Sequence, residues 1–412
     1  MVKHSSNLSS NEYKTKKALL LSSLFNEPFA SLYPLLPFIL LKFLGATAFQ
    51  IVLLTMLKPV SSIFSLYWSE KISQNRHSLR MSLVGAGLLA RIPFLFALFF
   101  DNVWLLIGAS TLYMLFSRAG IPAWMEILKI NLPNRVREKS FSFGSALGYA
   151  EGVLIAIGIG SLLDKSIFSW KIFFGAALLF GIGALVIQAL VPMNEKKDEL
   201  IKPVSLSLKE SLLRPWIDCY DLMKKRSDFR NFQWAFMIGG LGLMVIQPVI
   251  PIFFMETLEI SFRDLMIAYS ICKGLGFVLT SSLWSRALGL LSIGSFTSLV
   301  LTGFALFPLL IIASMAHQYW IYIAYFVYGI AQAGSHLIWH LSGPLFARGE
   351  KSSRYSGVNI AMVGIRGSLG PPLGGLLVIL IGPIAVFVIS SFLCISGATA
   401  LFFRSEKSIS SI

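Results

Sequence analysis

Charged residues are scarce in this sequence. Asp, Glu, Lys and Arg make up 13% of its 412 residues, about half the share of an ordinary soluble domain, so most of its surface must face something other than water. Acids are the scarcer sign, 20 against 35 Lys and Arg. Cysteine is rarer still. Cys219, Cys272 and Cys394 lie far apart without metal-ligand spacing, which excludes a disulfide framework and a zinc site and leaves three small core residues. No G-x-x-x-x-G-K-[ST] phosphate loop occurs, so nucleotide hydrolysis within this chain is excluded as a power source. No metal, cofactor or enzymatic chemistry is expected.

Hydrophobic residues, by contrast, make up 55%, and the mean hydropathy is +0.73. Apolar runs long enough to cross a bilayer, roughly 20 residues each, fall at 18–41, 46–69, 79–100, 103–128, 139–163 and 170–190. They resume at 232–254, 265–283, 288–313, 319–341, 356–379 and 383–403. The reading is all-α: about twelve transmembrane spans, numbered here 1 to 12. The first run follows Lys14, Lys16 and Lys17 like a secretory leader, but it is too long, carries Glu27 and has no small-residue cleavage site after it.

The net charge of +15 is not a nucleic-acid footprint, because the basic residues cluster between apolar runs rather than along one face. They report topology. Lys and Arg collect in cytoplasmic loops. With a cytoplasmic N-terminus, alternate loops hold Lys71, Arg76 and Arg80, then Lys129, Arg135, Arg137 and Lys139, then the central stretch, Arg286, and finally Arg348, Lys351 and Arg354. The other side receives only Lys42, Lys165, Lys171 and Arg263. Both termini are therefore expected in the cytoplasm, with the chain in a bacterial inner membrane.

The organisation expected is an N-terminal bundle over 1–190, a cytoplasmic linker over 191–231 and a C-terminal bundle over 232–412. In the linker, Ser207 and Glu210 have capping-box spacing, and Leu208, Leu212, Leu213, Trp216, Ile217 and Tyr220 recur at helical intervals beside Lys209, Arg214, Lys224 and Lys225. An amphipathic helix is predicted, lying on lipid or packed beneath the bundles, with Pro215 breaking or kinking it.

The halves repeat at an offset of 214 to 215 residues. Tyr33-Pro34-Leu35-Leu36-Pro37 meets Gln247-Pro248-Val249-Ile250-Pro251. Lys58 then meets Lys273, Lys71 meets Arg286, Pro93 meets Pro308, Trp124 meets Trp339, Glu151 meets Arg366 and Gly152 meets Gly367. Two six-span halves with cytoplasmic ends and a long middle loop resemble the major facilitator superfamily. The resemblance implies two bundles related by a pseudo-twofold axis along the membrane normal and a midplane substrate site reached by alternating access. It also implies that spans 1, 2, 4, 5, 7, 8, 10 and 11 line the cavity.

The family's loop between spans 2 and 3 usually reads G-x-x-x-D-R-x-G-R-R or K. Trp68 to Arg76 keeps an acid-base pair, Glu70 and Lys71, without the glycines, and the resemblance gives that pair a gating role. Gly370-Pro371-Pro372-Leu373-Gly374-Gly375 in span 11 looks like an element that drug antiporters carry in span 5. Here span 5 has Gly144, Gly148, Glu151 and Gly152 instead. Ile121-Pro122-Ala123-Trp124 through Pro133 and Arg135, and Gly364-Ile365-Arg366-Gly367, are similar to a branch of bacterial members without an assigned substrate.

Ionisable groups at mid-membrane are costly unless they face a partner or water, and each is a functional candidate. Lys58 and Lys273 either clamp an anion from opposite walls, or each pairs with a nearby acid or snorkels. With Arg366 they outnumber Glu27 and Glu151, which points to an anionic substrate. Glu151 and Arg366 form an ion pair, static or broken during the cycle, or Glu151 carries a coupling proton. Glu27 is a second proton carrier or a gating contact. Gln332, His336 and His340 form one stripe on span 10, for substrate hydrogen bonding, proton relay or a helix contact. Arg118 and Glu126 share a face of span 4 and read as a gating network, toward which Arg91 of the outer span 3 turns. Tyr33, Trp124 and Trp339 stack on substrate or pack the core.

The function expected is secondary active transport of a small organic anion, coupled to protons and carried out by a monomer. Proton-coupled drug or metabolite efflux, lipid flipping and a non-transporting sensor are the alternatives.

Overall fold

The computed structural model describes residues 9–73, 79–163, 169–192, 208–347 and 352–409, and no strand occurs among them. Nine helices of the described residues are long and apolar enough to cross a membrane. The last of these, Val358–Phe403, is two spans merged across a kink at Gly382. Two shorter apolar stretches, Ala48–Phe64 and Ala150–Ile159, lie within α-helices Ala48–Ser73 and Asn134–Leu163. That makes the twelve spans of the sequence reading.

Their bounds, in order, are Ser10–Leu44, Ala48–Ser73, Leu79–Ala97, Val103–Asn131, Asn134–Leu163 and Ser169–Ala189 for spans 1 to 6. Ser227–Thr257, Phe262–Leu290, Ile293–Ala313 and Tyr319–Ala347 are spans 7 to 10, and Ser352–Ile409 carries spans 11 and 12.

Side-chain caps start these helices where the chain leaves lipid. The Ser9 hydroxyl accepts from the Glu12 amide at 3.3 Å while the Glu12 carboxylate accepts from the Ser9 amide at 2.8 Å, a closed capping box. Asn102, Ser261 and Ser292 cap spans 4, 8 and 9 by accepting from the amide three residues on, each cap worth about 1 kcal/mol. Gly45 after span 1 and Gly382 between spans 11 and 12 have φ of 61° and 80°, values a side chain would strain.

The repeated proline motif breaks the helix in both copies. Tyr33–Leu35 is a 3-10 turn inside span 1. In span 7 the α-helix ends at Val245, resumes at Val249–Ile252 and passes into π-helix over Phe253–Thr257. Prolines that lack a donor and clash with the preceding turn account for both breaks.

The linker helix is observed at Leu208–Lys225. Of the break or kink expected at Pro215, no break occurs: the helix runs on through it. The carbonyl left without a donor sits in a helix whose neighbours Leu213, Arg214 and Ile217 are exposed, so it loses no buried bond. Leu222 alone is fully buried among its described residues. Ser207, the expected cap, lies outside the described residues.

Contacts gather the chain into two compact units. One comprises the described residues of Met1–Leu36, Tyr67–Gly158 and Lys165–Ser205; the other those of Pro37–Leu66, Ile159–Asp164 and Leu206–Ile412. In the first, span 1 packs on span 6, span 3 on spans 4 and 6, and only a narrow contact joins spans 1 and 4. Phe29, Phe94 and Phe174 fill its centre, with Tyr33 and Tyr113 beside them.

In the second unit small residues let backbones meet, the usual device where lipid supplies no hydrophobic drive between helices. Gly364, Gly367 and Gly375 of span 11 lie against Ile63, Pro59 and Val52 of span 2. Gly276 of span 8 lies on the Phe326 carbonyl of span 10, and Gly329 of span 10 on the Lys273 carbonyl of span 8. A Cβ at Gly329 would overlap that carbonyl. Gly329→Ala is therefore expected to cost about 1–3 kcal/mol through overpacking, seen as a lower melting temperature of the purified protein, while Gly274→Ala, which has open space, changes it little.

Candidate functional site

Span 8 begins irregularly. After Phe262–Met266 the backbone widens into π-helix over Ile267–Cys272 before α-helix resumes at Lys273, and π turns inside helices frequently mark functional sites. The Lys273 ammonium lies 3.5 Å from the centre of the Tyr269 ring, a close cation–π contact. Lys58 of span 2 lies within electrostatic reach of the same phenol. The two lysines that correspond across the repeat thus belong to one unit, Lys273 in contact with Tyr269 and the exposed Lys58 within electrostatic range of it.

Span 10 faces this group with a feature the sequence reading missed. Tyr319, Tyr322, Tyr325 and Tyr328 recur every third residue, four of the chain's 12 tyrosines. Tyr325 meets Tyr269 edge-on at 5.7 Å and packs with Phe307 and Tyr328. One turn toward the start of the helix, the Tyr322 hydroxyl donates to Asp264 at 2.7 Å. Gln318 and Ser261 donate to the other oxygen of that carboxylate at 3.0 and 2.7 Å. Asp264 so ties the head of span 8 to the head of span 10, in the wall of a cavity of about 390 Å³ that Arg263, His317 and Tyr319 also line.

The other residues of the stripe on span 10 are spread along it. Gln332 is half-buried, His336 is exposed and edge-on to Phe277 at 5.9 Å, Trp339 is half-buried, and the side chain of His340 lies outside the described residues. Arg366 is buried. It donates to the Phe236 carbonyl at 2.9 Å, stacks over that ring at 4.7 Å and fills the space left by Gly240, all on span 7.

In the first unit, Glu27 of span 1 and Glu151 of span 5 are brought together. Glu151 lies within electrostatic range of the Glu27 carboxylate. Gly148 and Gly152 make room: a Cβ at Gly148 would stand 2.6 Å from a Glu27 carboxylate oxygen, and one at Gly152 2.9 Å from the Ser31 hydroxyl. Ser31 donates to Glu27 at 3.2 Å. One Glu151 oxygen is buried without a hydrogen-bond partner. Neither acid has a basic partner among the described residues.

Glu126 pairs with Lys129 one turn on, at 3.8 Å, and Arg118, eight residues away, is half-buried. Tyr33 packs among aromatics. Trp124 lines a second cavity with Asn26 and Arg91. Glu70 and Lys71 fall in the last turn of span 2, and their side chains lie outside the described residues.

The sequence pattern of the Major Facilitator Superfamily matches residues 19–340 and 234–411. The chain belongs to that superfamily. It is a membrane transporter, not an enzyme. No curated protein matches the transporter in sequence. Among solved structures it is similar to the nucleoside transporter NupG, with a TM-score of 0.72 and 13% identity over 94% of this chain and 98% of that one. A POT family transporter in complex with 5-aminolevulinic acid gives 0.69 at 14% identity, over 95% and 96%. A bacterial homolog of the human lysosomal transporter Spinster, inward-facing and unoccupied, gives 0.64 at 13%, over 97% and 96%. Identities this low establish the fold.

Proposed function

We propose that the transporter moves a small organic anion by alternating access, driven by protons, across a bacterial inner membrane with both termini in the cytoplasm. The observation that carries the reading is the pair Lys58 and Lys273 about Tyr269, two ammonium groups within one membrane-embedded wall. A cluster of that sign attracts a carboxylate or phosphate and repels a cation. Coupling to protons is supported by Glu27 and Glu151, neighbouring carboxylates without a basic partner among the described residues. Arg366, Gln332, His336 and His340 complete the candidate set on spans 10 and 11. The halves 1–190 and 232–412, joined through 191–231, are the repeating units of this reading, and one chain is the working unit.

The test is uptake into proteoliposomes of labelled carboxylates, phosphate esters and organic cations, with and without an imposed pH gradient. Anions are expected to accumulate when the gradient is present. Transport of cations alone overturns the anion assignment, and accumulation indifferent to the gradient overturns proton coupling.

A further inference from the structure

Arg91 belongs to span 3, which the family resemblance leaves outside the cavity-lining set, yet its guanidinium is drawn into the first unit. Gly181 of span 6 leaves the room it fills: a Cβ there would stand 2.5 Å from the Arg91 Nε. Arg91 donates to the Gly87 carbonyl at 3.1 Å and to the Asn26 side-chain oxygen at 2.7 Å. Asn26 is itself fixed by donating to the Ser22 carbonyl at 2.8 Å. Both acceptors are neutral, and no carboxylate pairs with Arg91 among the described residues. A guanidinium has five N–H donors, so two bonds leave three for another partner.

That partner has a place. Arg91 lines a cavity of about 210 Å³ between spans 1 and 4, floored by spans 3 and 6. Asn26, Ser117, Gln188, Trp124 and Gly120 also line it, and no acidic residue is among its lining. At about 30 Å³ per water, the space holds roughly seven waters or one small anionic group with its substituent. A planar fork of donors in a low-dielectric wall is the geometry that takes carboxylate or phosphate in two parallel hydrogen bonds.

We propose that this cavity is an anion-binding subsite of the first unit, taking a carboxylate or phosphate group on Arg91, with Asn26 holding the guanidinium and Ser117 and Gln188 as further hydrogen-bonding groups. It stands on spans 1, 3, 4 and 6 and is independent of the lysine reading.

The test is thermal unfolding of the detergent-purified chain in sodium phosphate against sodium chloride of equal ionic strength. It is made in the Lys58→Gln/Lys273→Gln background, so that those lysines cannot answer. Phosphate is expected to raise the melting temperature. Arg91→Gln should abolish the rise. So should Gly120→Met, which fills the cavity from a position with room for a side chain and keeps the charge. A third arm replaces phosphate by phosphatidylglycerol in mixed micelles; a rise there but not in phosphate, lost in Arg91→Gln, identifies a lipid headgroup as the anion. No rise in either medium overturns the proposal, as does a rise that survives in a monodisperse Arg91→Gln or Gly120→Met protein.

Discussion

Lys273→Gln is expected to reduce anion uptake by roughly 10- to 100-fold while leaving expression and monodispersity unchanged. The physical ground is the loss of a half-buried cation from a wall within the membrane. A hydrogen bond to a charged group is worth about 1.5–3 kcal/mol, and every 1.4 kcal/mol is a factor of about ten. Glutamine keeps a polar side chain, one bond shorter and uncharged, and the π turn before residue 273 and the contact of Gly329 on its carbonyl are made by backbone and so are undisturbed. Lys58→Gln is expected to act in the same direction, because the Lys58 charge lies within electrostatic range of the same phenol. Tyr269→Phe retains the ring face on which the Lys273 ammonium rests and is expected to cost far less. Initial uptake rates of the three variants in proteoliposomes, normalised to protein, make the comparison. Wild-type rates in both lysine variants would remove these residues from the substrate path.

The spans were legible because lipid leaves the chain little choice: backbone groups must be satisfied within each helix, and apolar runs of the right length announce it. The proline motif at Tyr33 and its copy at Gln247 announced their breaks for an equally local reason. Three features of the site were not legible. Nothing in the residue types of Ile267 to Cys272 marks a π turn. Tyrosines at every third position on span 10 were countable, yet aromatics at helical spacing are most often core, and only Asp264 beside Tyr322 separates the polar end of that stripe from its packed end. That Arg91 turns inward from an outer span was expected, but toward Arg118 and Glu126; the partners it takes are Asn26 and the Gly87 carbonyl, in the room left by Gly181, and Asn26 and Gly181 lie far from it in sequence.

Glu151 shows the same limit. Its repeat partner is Arg366, and opposite charges at corresponding positions suggested an ion pair. Within its own unit Arg366 lies against Phe236 and Gly240, and Glu151 lies beside Glu27. The glycines at 144, 148 and 152 were visible as one face of span 5; that the face is cut to receive Glu27 is a tertiary fact.

The coupling residues follow from that contact. Glu27→Gln and Glu151→Gln are each expected to preserve exchange of labelled for unlabelled substrate across the membrane while abolishing accumulation driven by a pH gradient. Two carboxylates side by side in a membrane helix pair, without Lys or Arg beside them among the described residues, form an unfavourable arrangement when both are charged. A proton is the smallest cation that relieves it, and a pair that must bind and release one during each cycle ties substrate movement to the proton gradient. Glutamine is permanently neutral and fills almost the same volume, so the substrate step survives and the link is cut. For one proton per cycle the gradient supports about tenfold accumulation per pH unit, the equivalent of 1.36 kcal/mol, and the variants are expected to fall to the ratio seen with no gradient. Gly148→Ala offers a geometric control: its new Cβ would stand 2.6 Å from a Glu27 oxygen and push the two acids out of register without changing any charge. Its accumulation should drop while exchange persists. Full gradient-driven accumulation in both glutamine variants would move the proton site elsewhere in the chain and leave Glu27 and Glu151 as packing residues of spans 1 and 5.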